Sequence, residues 1–303
     1  MTSLCELTTD SSSSECQRDP STTDLSGSVF TMEDGKKVQL RSFLGSGTFG
    51  VVYTAVHEAD TGEYAVKLVS AERNETQDDE YFRNEVEMLE RLGQHNHTNI
   101  VAYFGYEFVK ELSNRAMLFF EIATRGSVSD FMAESGRNLS VEKSISIMEQ
   151  LCNGLAFIHA QGVYHRDIKP ENLLLNTDCE TVKINDFGLA EYHPSDDATL
   201  YDEFSSFVPP EFYQNGEYLA AQGDLWAASM TFVYLVTSVY PWEFAQEDDE
   251  EFWNFTNGFS DASYWNQLEH FRERILHSLD PNPSERGVLC AYSQPLDDYM
   301  KYN

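Results

Sequence analysis

The residues best suited to chemistry lie in His165-Arg166-Asp167-Ile168-Lys169-Pro170-Glu171-Asn172, followed by Asn185-Asp186-Phe187-Gly188. Asp167 can accept a proton from a hydroxyl nucleophile. Asn172, five residues on, and Asp186, ahead of a Phe-Gly turn, offer the hard oxygen ligands that hold Mg²⁺. Upstream, Gly45-Ser46-Gly47-Thr48-Phe49-Gly50-Val51-Val52 fits GxGxxGxV. Without a Cβ in the way, glycine amides can approach phosphate oxygens closely. Taken alone, this pattern is equally a glycine-rich hairpin turn. Lys67, in Ala65-Val66-Lys67, sits inside an apolar strand pattern. A buried ammonium needs an acidic partner, whereas a Lys at a strand edge can keep its head in water. Glu85, on the polar face of a predicted helix, is the candidate partner.

The elements that must position these groups follow from periodicity. Val38 to Leu44 alternates apolar and polar residues, the period of a half-buried strand. Val51 to His57 and Tyr64 to Val69 read as two more strands, with Asp60-Thr61-Gly62 as the turn between them. The glycines therefore lie between two strands. A dinucleotide fingerprint needs a helix to open at that point, so the context argues against it. Phe82, Val86, Leu89 and Leu92 recur at helical spacing and predict a helix over 77–92. Met117 to Ile122 reads as a short buried strand, and beyond residue 140 the pattern is mostly helical. Strands first and helices after, with no Pro/Gly-rich linker between them, predict an α+β protein of two lobes.

Lys plus Arg number 20 against 51 Asp plus Glu, a formal net charge of −31 over 303 residues. That balance excludes a basic footprint for nucleic acid or an anionic membrane. With 41% hydrophobic and 13% aromatic residues, the chain can still bury a proper core. No apolar run is long enough to span a bilayer and the N-terminus has no secretory pattern, so a cytoplasmic or nuclear protein is expected. Cys5, Cys16, Cys152, Cys179 and Cys290 are scattered, without metal-ligand spacing, and read as reduced thiols. Residues 1 to about 30, rich in Ser, Thr and Asp, read as a disordered tail.

Taken together and in this order, the segments resemble the protein kinase family across about residues 38–290. Val208-Pro209-Pro210-Glu211, Gly223-Asp224-Leu225-Trp226, Pro241-Trp242 and Asp280-Pro281 with Arg286 also fall where that family has its landmarks. The resemblance implies a small N-lobe of antiparallel sheet plus one helix (about 38–120) and a larger, mainly helical C-lobe (about 124–290), followed by an extension over 291–303. ATP and Mg²⁺ are the implied cofactors. Lys67 would hold the α- and β-phosphates and pair with Glu85. Asp167 would take the substrate proton and Lys169 would steady the γ-phosphate. Asn172 and Asp186 would bind the metal. Leu44, Gly45, Ser46, Gly47, Thr48, Phe49 and Gly50 would cover the nucleotide. Val52, Ala65 and Leu174 would sandwich adenine, Phe120 would be the gatekeeper, and Glu121 and Ala123 would offer backbone groups. Glu211 would pair with Arg286.

Lys169 resembles the Ser/Thr-specific branch of the family. The segments from His165 to Leu175 and from Val182 to Ala190, with the acid-rich stretch after Trp242, resemble the cell-cycle checkpoint kinases of the DNA-damage response. Several positions depart from that pattern. Arg125 stands where a hinge Gly is usual, Ser127 replaces an acidic residue that commonly meets the ribose and a substrate Arg, and Pro209 replaces an Ala. The long C-terminal regulatory region of those relatives is expected to be absent. Retention of Lys67, Glu85, Asp167, Asn172, Asp186 and the glycines favours an active enzyme over a pseudokinase scaffold. Expected partners are protein substrates with basic flanks, met in part by Glu171, and the protein is expected to be a monomer. Between Asp186 and Glu211 there is no Lys or Arg. Asp202 or Glu203 is therefore the expected carboxylate partner of Arg166, in the place of a loop phosphate, beside a plain solvated acidic loop as the alternative. Thr199, Ser205 and Ser206 are candidate phosphosites.

Overall fold

A computed structural model describes residues 24–47, 50–58, 62–71, 77–112, 114–136, 138–177, 179–194, 198–199, 205–258 and 263–287. The N-terminal lobe is built on a six-stranded antiparallel sheet. Its strands are β1 (Val29–Thr31), β2 (Lys37–Gly47), β3 (Gly50–His57), β4 (Glu63–Ser70), β5 (Tyr103–Phe108) and β6 (Arg115–Phe120), ordered β1-β2-β3-β4-β6-β5. Helix α1 (Gln77–Gly93) packs on one face.

After Arg115, β6 is apolar from Ala116 to Phe120, which follows from burial on both faces. Ala116, Leu118 and Phe120 join the core that runs through α1 into the C-lobe, while Met117 and Phe119 join a second core with Val38, Leu40, Tyr53 and Val66. β4 obeys the same two-residue alternation, so Lys67 points to the α1 side, between Val66 and Leu68, which face the other core.

Residues 24–30, expected within the disordered tail, are folded. Leu25 donates its N–H to the Tyr53 hydroxyl and packs on the second core, Phe30 is buried, and Val29–Thr31 pairs with Lys37–Gln39. β5 also lies outside the strands that the sequence predicts. Its aromatics line both faces, and the register shifts at Gly105, so no clean alternation survives in the sequence.

The C-lobe contains helices α2 (Val128–Ser135), α3 (Val141–Ala160), α4 (Pro210–Asn215), α5 (Ala220–Thr237), α6 (Glu250–Thr256) and α7 (Arg272–Ser278), and a 3₁₀ stretch, Ser263–Phe271. α5 is buried nearly all round, as befits a central core helix, and packs on α3 and α7. α2 opens with a capping box: Ser127 Oγ accepts from the Asp130 N–H, and the Asp130 carboxylate accepts from the Ser127 N–H. Short antiparallel pairs also lie within the C-lobe: β7 (Val163–Tyr164) with β10 (Glu191–Tyr192), β8 (Leu173–Leu175) with β9 (Val182–Ile184), and β11 (Ala198–Thr199) with β12 (Tyr218–Leu219).

Among the described residues, no helix is long and apolar enough to cross a membrane. Cys152 and Cys179 are free thiols. The other cysteines, the turn at Asp60-Thr61, Thr48, Phe49, Asp202, Glu203 and the 291–303 extension lie outside the described residues.

Candidate active site

The site lies where the inner face of β4, helix α1 and the loops around β7–β9 meet. Lys67 Nζ donates to both Glu85 carboxylate oxygens at 2.7 and 2.9 Å, and to Asp186 Oδ1 at 3.0 Å. Glu85 is only 3% exposed, so it does not lie on the polar face of α1. The helical arithmetic explains the correction: position 85 is three after Phe82 and four before Leu89, within the buried stripe. Burial opposes the charge of Lys67, but the carboxylates of Glu85 and Asp186 outweigh it and hold the ammonium above its ordinary pKa. Burial likewise opposes the charge of Asp186, and the charge and hydrogen bond of Lys67 bring its pKa below the usual carboxylate value.

The loop carrying Asp167 is fixed from several sides. Lys169 Nζ donates to Asp167 Oδ1 at 2.8 Å, and Asn172 Nδ2 donates to Asp167 Oδ2 and to the Asp167 carbonyl, both at 2.8 Å. Pro170 starts the single 3₁₀ turn Pro170–Asn172 that brings Asn172 back under the loop. The Asn185 N–H bonds to the Asn172 carbonyl at 2.9 Å, which sets Asn172 beside Asp186. His165 accepts from the Asp167 N–H through Nδ1 and donates to the Asn185 carbonyl through Nε2. Phe187 is fully buried, edge-on to the His165 ring. Arg166 and Asp186 both have positive φ, 66° and 63°. Left-handed backbone at non-glycine residues carries a cost that neighbouring contacts must offset, and such strain concentrates at functional sites.

Asp224, at the start of α5, supplies part of that offset. It accepts from the His165 N–H at 2.9 Å, the Arg166 N–H at 2.7 Å and His159 Nε2 at 2.8 Å. Burial works against its charge, yet the His159 hydrogen bond and the backbone donors keep its pKa below the ordinary value.

The glycine segment spans the end of β2 and the start of β3, with Ser46 opposite Val51 and Gly47 opposite Gly50. Gly50 has φ 155°, and a Cβ there would lie 2.6 Å from the Leu68 carbonyl oxygen, so only glycine fits. Leu44 is half exposed beside it. Val52, Ala65 and Leu174 are each partly buried, and Ala65 pairs with Phe120. Leu174 is bridged to Ser127 and paired with Lys183. The Glu121 N–H donates to the Ala102 carbonyl at 3.0 Å. Ala123 accepts from the Gly126 N–H through its carbonyl. Far from this cleft, Arg286 makes a bidentate pair with Glu211 at 2.9 and 2.8 Å and stacks over Trp226.

Some participants had no signal in the sequence. Lys183, in β9, is buried and donates to the Thr98 carbonyl at 3.0 Å and to Glu121 Oε1 at 2.9 Å. Asn84 Nδ2 reaches from α1 to the Ala190 carbonyl at 2.7 Å. Arg166 pairs with Glu191, a residue of β10, while the expected partners Asp202 and Glu203 lie outside the described residues.

The donor set suits a nucleotide with a hard cation. Among the described residues, no group of three or more His, Cys, Asp or Glu could hold a metal. An Asn and an Asp oxygen, completed by phosphate oxygens and water, is how Mg²⁺ is held beside a nucleotide. Lys67 supplies a fixed positive charge next to Asp186.

Comparison with known proteins agrees with this geometry. Residues 38–288 match the family model described as "Protein kinase domain". Calcium/calmodulin-dependent protein kinase type 1 of Caenorhabditis elegans is 30% identical over 257 residues, covering 83% of this chain and 71% of the relative. Serine/threonine-protein kinase par-4 of Caenorhabditis briggsae is 34% identical over 267 residues, covering 85% of this chain and 36% of the relative. Myosin light chain kinase 2 of Mus musculus is 30% identical over 210 residues, covering 69% of this chain and 32% of the relative. A two-lobed fold with a lysine held between helix and Asp-Phe-Gly carboxylates, matched along most of its length, makes this chain a member of the protein kinase family. It is a protein serine/threonine kinase.

Proposed function

We propose that the protein transfers the terminal phosphoryl group of ATP to Ser or Thr hydroxyls of protein substrates that carry basic residues near the target. One observation carries the reading: Lys67 is held simultaneously by Glu85 and Asp186, while Asp167 is held by Lys169 and Asn172. An assembled set of this kind depends on charge chemistry that no scaffolding role requires, which disfavours a pseudokinase.

In this reading Asp167 accepts the proton of the incoming hydroxyl, and the Lys169 and Asn172 bonds fix its orientation. Lys67 binds the α- and β-phosphates, with Glu85 setting its position. Lys169 steadies the transferring group. Asn172 and Asp186 hold Mg²⁺, which when bound neutralises charge on the phosphates. The backbone of Gly45–Gly50 covers the phosphates, and Val52, Ala65 and Leu174 enclose the base against the hinge at Glu121 and Ala123.

Glu171 supports the preference for basic flanks. It is exposed beside the catalytic loop, bonded only lightly to Ser129 Oγ at 3.2 Å, on a surface of strongly negative net charge. A role in cell-cycle or DNA-damage checkpoint signalling is the finer part of this proposal. Its support is the likeness of the segments His165 to Leu175 and Val182 to Ala190. The test is transfer of labelled phosphate from ATP to an Arg-containing peptide. Transfer that is abolished in Asp167→Asn supports the assignment, and transfer that survives this substitution refutes it.

A further inference from the structure

Residues 190–192 tie together the two halves of the site. On one side, Asn84 of α1 donates to the Ala190 carbonyl at 2.7 Å, and the Arg91 guanidinium of the same helix lies 3.5 Å from the centroid of the Tyr192 ring. Both residues come from the helix that carries Glu85. On the other side, Glu191 Oε1 accepts from Arg166 Nη1, next to Asp167 in the chain, and Glu191 Oε2 accepts from His193 Nε2 at 2.8 Å. Tyr218 also hydrogen-bonds Arg166. β10 is clamped on β7, with Glu191 opposite Tyr164 and Tyr192 opposite Val163. The backbone allows no slack there: Gly162 has φ 72°, and a Cβ on it would lie 2.5 Å from the His193 carbonyl.

We propose that Glu191 is a built-in positioning carboxylate. By pairing with Arg166 it holds the catalytic loop in its working geometry, so that catalysis needs no phosphate between Asp186 and Glu211. The inference rests on the kinase reading above. Arg166 has a left-handed backbone, its N–H is fixed by Asp224, and its side chain is fixed by Glu191, so a neighbouring Asp167 has little freedom to turn. A carboxylate–guanidinium pair is charge-assisted and needs no prior modification. The segment also contains no Lys or Arg to neutralise an added phosphate, while Glu191, Asp196, Asp197, Asp202 and Glu203 would repel it.

The experiment uses the full chain. Initial rates of peptide phosphorylation are compared for protein as purified and after phosphatase treatment, with mass spectrometry confirming that no phosphate remains. Both preparations should be equally active. Glu191→Gln should lower kcat by about tenfold while the KM for ATP stays within about twofold. Added acetate should restore part of the kcat of Glu191→Ala and leave the wild type unchanged, a rescue that a merely structural role would not give. A wild type silent until phosphorylated overturns the inference while the kinase reading stands, as do wild-type kcat in Glu191→Gln and a folded Glu191→Ala that acetate does not rescue. Should either variant fail to fold, the phosphatase comparison on the wild type still decides. If neither wild-type preparation transfers phosphate, the kinase reading itself fails, and the inference with it.

Discussion

Lys183 Nζ lies 2.9 Å from Glu121 Oε1, joining the strand before Asp186 to the hinge between the lobes. The same ammonium bonds the Thr98 carbonyl, and the same carboxylate oxygen accepts from the Ala102 N–H at 2.6 Å. Ile184 continues the seam, with its N–H on the Asn99 carbonyl and its carbonyl accepting from Val101. The hinge is thus anchored to a C-lobe strand by a largely desolvated ion pair.

Removing one partner of such a pair leaves the other charge poorly compensated, which costs more than the pair contributes. We expect Lys183→Met to lose about 1–3 kcal/mol of stability and to raise the KM for ATP, because the hinge carbonyl of Glu121 is less well held. Adding Glu121→Gln should recover part of the stability loss. Denaturant melts of the two single variants and the double variant check this. A double variant as unstable as the sum of the singles would show that the two residues do not interact.

Lys67 bonds three carboxylate oxygens within 3.0 Å as a compact point charge. A planar guanidinium on a longer stem cannot reproduce that arrangement, so Lys67→Arg preserves charge and loses geometry. We expect kcat/KM to fall by at least about 2–3 kcal/mol with an unchanged melting transition. Wild-type turnover in a normally folded variant would remove Lys67 from the mechanism.

Much of the site is readable in the sequence because its parts are contiguous. Asp167, Lys169 and Asn172 lie within a few residues, and their mutual hydrogen bonds are local consequences of one 3₁₀ turn. What escapes the sequence is whatever tertiary packing creates. Lys183 reads as an isolated charge in an apolar strand until Thr98 and Glu121 surround it. Glu85 is legible as the partner of Lys67, but its place in the buried stripe of α1 shows only once the helix docks on the sheet. Glu191 is one acid among several, and only the pairing of β10 with β7 selects it for Arg166. β5 hid for a similar reason, since both of its faces carry aromatics: the Tyr103 ring lies tilted against Phe120 while Phe104 meets Tyr64 edge-on on the other side.

Glu171 tests the substrate side. Its carboxylate is exposed, and its bond from Ser129 Oγ is long at 3.2 Å, so it can turn to a cationic partner. In Glu171→Lys, the preference for an Arg-containing peptide over a neutral one should fall by about tenfold, and the salt dependence of that preference should weaken. Steady-state rates on paired peptides at low and high salt measure both. An unchanged preference would assign recognition of basic flanks to another part of the acidic surface.

Asp224 links catalysis to acid stability. Its carboxylate is fully buried and accepts from His159 and from the backbone of His165 and Arg166. Its folded pKa is depressed below an unfolded value of about 3.9. A group with a depressed folded pKa binds its proton more readily when unfolded. It therefore contributes stability above that unfolded value, and the contribution is lost as pH falls through the folded pKa. Asp224→Asn removes the charge and turns one of the two backbone acceptor positions into a donor. We expect it to cost about 3 kcal/mol at neutral pH, and to flatten the fall in stability that the wild type shows below about pH 4. Because the same oxygens hold the backbone of Arg166 in its left-handed conformation, kcat should fall in the variant even well below its melting temperature. Melting curves between pH 7 and pH 3, with turnover measured on folded protein, separate the two effects. Parallel pH profiles for the variant and the wild type would show that Asp224 does not titrate with folding.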